Sequence, residues 1–214
     1  AIANPAAIRS ATDGVLVNTP TFVVDNPPNY SNYSVHFDGV NDYCRTGLIP
    51  DFIHTGATMC YWVKSDVFSG SSGWEEMGCY TSSGTNWFYL GYFNDKAAFA
   101  VHDVNKKTTS LSDYVAIGEW HHLALVADNG TATYYLDGIA RDTLSYTPDV
   151  ADNPTGNFVI GAISNGPGVT AADFITGDVD EVAVWDSALT SAQINDIYNG
   201  GVPAALADSP VGWW

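Results

Sequence analysis

Basic residues are scarce in this sequence. Lys plus Arg number 7 against 24 Asp plus Glu, a formal charge of −17 at pH 7 over 214 residues. Such a field repels phosphate backbones and anionic headgroups, so it excludes nucleic acid and a membrane surface as partners. It suits a well-solvated surface and attracts divalent cations. Cysteine is sparse as well: Cys44, Cys60 and Cys79 form an odd set without C-x-x-C spacing. Three buried or free thiols are expected, with one disulfide as the alternative. No apolar run approaches the ~20 residues that span a bilayer. No signal peptide is visible, and the chain starts at Ala1 without Met, so a processed product or a piece of something longer is expected. Helix signals are nearly missing.

What is abundant is strand and turn chemistry. Hydrophobic residues make up 46% and aromatics 13%, beside 20 Gly and 10 Pro. That composition supports a large core cut by many turns, and 214 residues suit one large all-β domain. Residues 1–30 read as an irregular segment packing on that domain, punctuated by Asn4-Pro5, Thr19-Pro20 and Asn26-Pro27-Pro28, with Phe22-Val23-Val24 as a candidate edge strand. From Tyr33 onward, short runs of β-formers recur between turn signals. They include Thr58 to Val63, Trp87 to Tyr92, Ala97 to Val101, Trp120 to Ala127, Phe158 to Gly161 and Val179 to Trp185. This is the pattern of an antiparallel sandwich.

Two local signals are sharper. Asn129-Gly130 and Asp137-Gly138 separate three β-rich runs and predict a meander over roughly 120–144. Thr190-Ser191-Ala192-Gln193 has capping-box spacing, Ile194, Ile197 and Tyr198 follow on one helical side, and Gly200-Gly201 can end the turn. A single helix of about two turns is expected, held by packing on the sandwich. Residues 201–214 lack periodicity and read as a linker or the start of a further module, with Trp213 and Trp214 docking on something.

The run Tyr33 to Tyr43 reads as strand, acidic turn and second strand, with Gly39 free to take positive φ. Six motifs follow in order: Phe37-Asp38-Gly39-Val40-Asn41-Asp42-Tyr43, Met59-Cys60-Tyr61-Trp62-Val63-Lys64, Glu119-Trp120-His121-His122-Leu123, Tyr134-Tyr135-Leu136-Asp137-Gly138, Gly177-Asp178-Val179-Asp180-Glu181 and Ala188-Leu189-Thr190-Ser191-Ala192-Gln193. The ordered set resembles the laminin-G-like, concanavalin A-like jelly-roll family over about 30–200. The resemblance implies an antiparallel two-sheet jelly-roll sandwich over 31–200, with the short C-terminal helix at its end. The tail Tyr198 to Pro203 with Ser209 to Trp214 looks like the junction after such domains in structural proteins of marine tailed phages.

In jelly rolls that this one resembles, the Asp of the last-strand motif, here Asp180, often binds structural Ca2+. Asp38 and Asp42 are the acidic candidates from the early turn, which is also expected to meet the Gly177–Glu181 strand in space. The competing role for these carboxylates is to cap turns. Aromatic faces in a Gly/Ser-rich region suggest a glycan platform of Trp74, Tyr80 and Trp87, against core packing of alternate aromatics. Related hydrolases carry Glu-x-Asp-x-x-Glu on one strand, and this chain has no such run. Glu75-Glu76 are adjacent, so on a strand they point to opposite faces. His122 occupies a position where the family commonly has His, and a packed core role is expected.

The expected function is a noncatalytic structural or adhesion module of a virion or cell-surface assembly, present in multiple copies with other structural proteins and open to a cell-surface glycan. The expected location is a virion surface, with a secreted or bacterial-surface setting as the alternative. Two other functions stay open: a carbohydrate-binding module of a secreted polysaccharide-degrading enzyme, and a jelly-roll glycanase with an atypical acid pair.

Overall fold

The structure is a computed structural model that describes residues 14–30, 33–50, 55–66, 74–80, 87–93, 96–102, 107–108, 115–148, 156–165 and 171–214. At positions 74, 76, 80, 87, 102, 107, 108 and 165 the description is of the backbone. In chain order the strands are β1 (Val15–Val17), β2 (Thr21–Val23), β3 (Ser34–Asp38), β4 (Tyr43–Arg45), β5 (Ala57–Ser65), β6 (Trp74–Tyr80), β7 (Trp87–Phe93), β8 (Lys96–His102) and β9 (Lys107–Thr108). They continue as β10 (His121–Asp128), β11 (Thr131–Leu136), β12 (Ile139–Ser145), β13 (Val159–Ile160), β14 (Ile163–Asn165), β15 (Ala171–Ala172) and β16 (Thr176–Trp185). The helix α1 (Ser191–Tyr198), a short 3-10 turn (Pro203–Ala205) and β17 (Gly212–Trp213) close the chain.

Two sheets face each other. Among the described residues the first runs β1-β4-β13-β6-β7-β8-β9, with β14 beside β6 and β15 beside β14. The second runs β12-β11-β10-β5-β16-β3-β2, with β17 beside β16. Pairing is antiparallel apart from β14 on β6. The expected all-β sandwich with one short helix near its C-terminal end is present.

Alternation sets the core. Met59, Tyr61 and Val63 of β5 and Leu123 and Leu125 of β10 face Met77 and Cys79 of β6 and Phe88, Leu90 and Tyr92 of β7. Fully burying such a side chain contributes roughly 1.5–3 kcal/mol. The intervening residues of β5 and β10 are buried too, because α1 covers the second sheet from outside. Cys60, Ala124, Val126, Ala183 and Trp185 pack there against Leu189, Ile194 and Ile197. A strand covered on both faces loses its two-residue pattern, hence the nearly continuous apolar run of β5.

The meander matches its turn signals. Asp128 pairs Thr131 and Leu136 pairs Ile139, while Asn129, Gly130, Asp137 and Gly138 all take positive φ. The capping box is formed: Thr190 Oγ1 accepts Gln193 N–H and Gln193 Oε1 accepts Thr190 N–H. All three cysteines are buried and free, and burial pushes the Cys44 thiol up to about 12.

Tertiary context sharpens three local readings. The run around Asp38-Gly39 is strand, turn and strand as expected, but β3 belongs to the second sheet and β4 to the first, so the turn is a corner between sheets. Gly39 has φ +72°, and a Cβ there would lie 1.9 Å from Thr176 Oγ1, so the corner demands glycine. The segment 14–24, part of the stretch read as irregular, supplies β1 and β2 as edges of the two sheets; residues 1–13 lie outside the described residues. The 201–214 segment, read as a linker or the start of a module, packs on this sandwich. Val182 and Trp214 exchange backbone hydrogen bonds at 3.1 and 2.9 Å, and Trp214 stacks on Phe158 with centroids 6.1 Å apart.

Candidate functional site

The carboxylates considered for calcium do not gather. Asp38 Oδ1 accepts the Val40 and Asn41 N–H groups at 2.9 and 3.3 Å, and these bonds, Val40 first, hold its carboxyl below the usual range. Asp42 is buried and its Oδ1 accepts Thr19 N–H at 3.0 Å. Asp180 Oδ1 accepts Glu181 N–H at 2.9 Å. Asp38 does meet the last-strand motif, but opposite Thr176. Asp180 is four residues further along β16, about 13 Å away at strand rise. Calcium takes 6–8 oxygens, and no cluster of three or more His, Cys, Asp or Glu suited to a metal occurs among the described residues. Asp180 and Asp38 are therefore too far apart to share one ion.

A polar network that sequence reading missed lies on the outer face of the second sheet. Asp178 stands opposite both His36 on β3 and Lys64 on β5. His36 Nδ1 is 2.9 Å from Asp178 Oδ1, and Lys64 Nζ is 3.8 Å from Asp178 Oδ2. Lys64 also pairs with Asp25, whose other oxygen accepts the Trp120 indole N–H at 3.1 Å. The hydrogen bonds from Lys64 and then Trp120 hold the Asp25 carboxyl below its usual range. Through the Lys64–Asp25 pair the network ties the segment after β2 to the sheet.

The three aromatic candidates are divided by backbone register. Tyr80 is directly opposite Trp87, whereas Trp74 stands opposite Phe93 at the far end of β6, about 20 Å away at strand rise. The side chains of Trp74, Tyr80 and Trp87 lie outside the described residues. Register brings in two further residues: Asn165 of β14 pairs with Tyr80, and His102 of β8 pairs with Trp87. The result is one row, Asn165–Tyr80–Trp87–His102, crossing four strands and about 14 Å of sheet. It lies two residues along from the row Ile163–Gly78–Tyr89–Ala100, whose Ile163, Tyr89 and Ala100 form a small apolar cluster separate from the sandwich core. These rows therefore belong to the outer face of the first sheet. Gly78 permits the close pairing: a Cβ there would lie 2.1 Å from the Phe88 carbonyl oxygen. His102 and Asn165 could not be found from sequence because strand-to-strand register across intervening loops leaves no local mark.

Glu75 is 1% exposed and turned into the sandwich, where its Oε2 accepts Thr176 N–H at 3.4 Å. Asp137 holds the His121 ring and the His122 N–H, each at 2.9 Å. Burial opposes its ionisation, but those bonds keep its carboxyl below the usual range.

Residues 38–195 match the laminin-G-like branch of the concanavalin A-like lectin/glucanases superfamily. No curated protein matches the sequence. A native heptameric SAP-like pentraxin from Limulus polyphemus is 22% identical, covers 73% of this chain and 78% of its own, and has a TM-score of 0.56. Domain 4 of AbnA, a GH43 extracellular arabinanase from Geobacillus stearothermophilus, in complex with arabinotriose, is 17% identical over 86% of this chain and 87% of that one, with a TM-score of 0.62. Trypanosoma rangeli sialidase is 16% identical over 92% of this chain but 31% of the enzyme, with a TM-score of 0.65. At these identities the structures establish the shared fold, and the match over 38–195 places this chain in the concanavalin A-like lectin/glucanases superfamily, as a laminin-G-like domain.

Proposed function

We propose that this chain is a noncatalytic glycan-binding module that serves adhesion or display on a larger assembly, a virion or a cell surface, in multiple copies. The observation that carries the reading is the row Asn165–Tyr80–Trp87–His102. Phenol and indole rings supply flat apolar faces for sugar rings, and a primary amide and an imidazole supply planar donors and acceptors for hydroxyls. A row of about 14 Å suits an oligosaccharide better than a single sugar. The arabinanase domain of the same fold holds arabinotriose, and the pentraxin is a heptamer, which supports the glycan and the multiplicity parts of the reading.

The placement of carboxylates supports a noncatalytic role. Glycoside cleavage uses two carboxyl groups about 5–10 Å apart across the scissile bond. The row contains none, Glu75 faces the core, and Asp178 and Asp137 are engaged by His36 and His121.

Affinity electrophoresis against a panel of neutral and acidic polysaccharides, arabinan included, tests the proposal. At least one polysaccharide should retard the protein. Trp87→Ala and Tyr80→Ala should each weaken that retardation by about tenfold or more, as loss of an aromatic anchor does, with little change in melting temperature. Retention by none, or retention unchanged in both variants, overturns the reading. Release of reducing ends from a retained polysaccharide overturns its noncatalytic part.

A further inference from the structure

Two histidines sit side by side on β10 and meet opposite surroundings. His121 Nδ1 is 2.9 Å from Asp137 Oδ2, and its Nε2 accepts Ala116 N–H at 3.1 Å. His122 is fully buried, and neither of its ring nitrogens has a hydrogen-bond partner. Its ring lies 5.4 Å from Trp62 and 6.3 Å from Tyr198, which itself stacks on Trp62 at 5.6 Å. Tyr30 closes the box, 5.7 Å from Trp62, and its hydroxyl donates to the Ile197 carbonyl in the last turn of α1. Three separate pieces thus meet at one unpartnered imidazole: the second sheet, the end of the helix and the corner before β3.

We propose that His122 is an acid-sensitive latch, whose protonation releases α1 and the Tyr30 corner from the second sheet and exposes an apolar face while the sandwich stays folded. A charge buried without a partner is strongly unfavourable. Opening the box gives the imidazolium water. Burial pushes the His122 ring down to about 4 from its ordinary 6.5, with Asp137 opposing. Because the closed form has the lower value, its advantage is complete above 6.5 and drains away as pH falls toward 4. Those two values make opening about 20-fold more favourable at pH 5 than at pH 7.

Other titratable groups flank the box, and Lys64, two residues beyond Trp62 on β5, is held by Asp25 and lies 3.8 Å from Asp178. Asp137, in the β11–β12 turn, accepts the His122 backbone N–H rather than the ring. From β16, Asp180 stands opposite Trp62, and the Glu181 carboxylate acts on Tyr30 and Cys60. Burial holds the Glu181 carboxyl above its usual range, so its protonation favours the closed form and works against the latch. Tyr30 and Tyr198 contribute phenols. The release is local because the apolar cluster under the helix is separate from the inter-sheet core. An eight-residue helix also holds its shape only by packing.

Hydrogen exchange at pH 7 and pH 5, corrected for intrinsic rate, tests this on the intact chain. Protection over 190–201 should fall about 20-fold relative to β10 and β11. It should not fall in His122→Phe, and should still fall in Glu181→Gln. Unchanged protection of 190–201 overturns the latch, as does an equal fall in His122→Phe or an equal fall in β10. Should His122→Phe not fold, NMR titration of the His122 ring in the unaltered protein decides: a midpoint near 6.5 overturns the proposal, and one near 4 supports it.

Discussion

The outer faces of both sheets bury apolar residues, but they differ in what lies beside those residues. On the second, β5, β10 and β16 carry small or apolar residues where solvent would normally call for polar ones, and α1 covers them. Trp185 lies beneath it, with its indole N–H donating to the Asp208 carbonyl at 2.9 Å. On the first, the register row Asn165–Tyr80–Trp87–His102 lines up residue types suited to sugars. The same two-layer core supports both faces. The helix-covered face stabilises, and the other is the one on which we place recognition.

Substitutions that separate stability from binding test this division. Trp185→Ala should have the largest effect on stability, about 3–5 kcal/mol, because it empties a fully buried site. Measured by denaturant melts, that loss should come with unchanged glycan affinity of the folded fraction; a matching loss of affinity would break the division. Gly78→Ala strikes beneath the recognition row. Its φ is +146°, and the new Cβ would meet the Phe88 carbonyl oxygen at 2.1 Å. A cost of about 2–4 kcal/mol is expected, together with loss of glycan retention at temperatures where the protein remains folded. Thr190→Ala removes one half of the capping box and should cost about 1 kcal/mol, with affinity untouched. Calcium should do least. Because Asp180 does not converge with Asp38, about 1 mM calcium or a chelator should leave the melting temperature in place. A rise with calcium would instead assign an ion to the Asp38–Asp42 corner.

How much of this was legible in the sequence depended on how local each cause is. The capping box at Thr190 and the Asn129-Gly130 and Asp137-Gly138 turns are set by neighbours within four residues, and all formed as read. The edge position of Phe22 was legible for the same reason, as a short apolar run among prolines. The Asp38-Gly39 run was legible as a turn between two strands, but its residues suit any tight turn. Only the destinations of β3 and β4 distinguish a corner from a hairpin. That Trp213 and Trp214 dock was legible, but where they dock was not, because their partners Glu181, Val182 and Phe158 are far away in sequence. The grouping of Trp74 with Tyr80 and Trp87 was too generous: proximity in sequence does not measure distance along a strand.

By itself, the sequence determined the class of fold, the meander and the capped helix near the C-terminal end. Each follows from composition or hydrogen bonds between near neighbours. Tertiary structure alone decided which residues share a row, a box or a corner. Asn165 meets Tyr80, Asp178 meets His36 and Lys64, and His122 is sealed beneath Tyr198 with no partner. The reason is physical. Side chains on a sheet acquire neighbours from strands tens of residues away, and a shift of one residue in register would exchange every one of them.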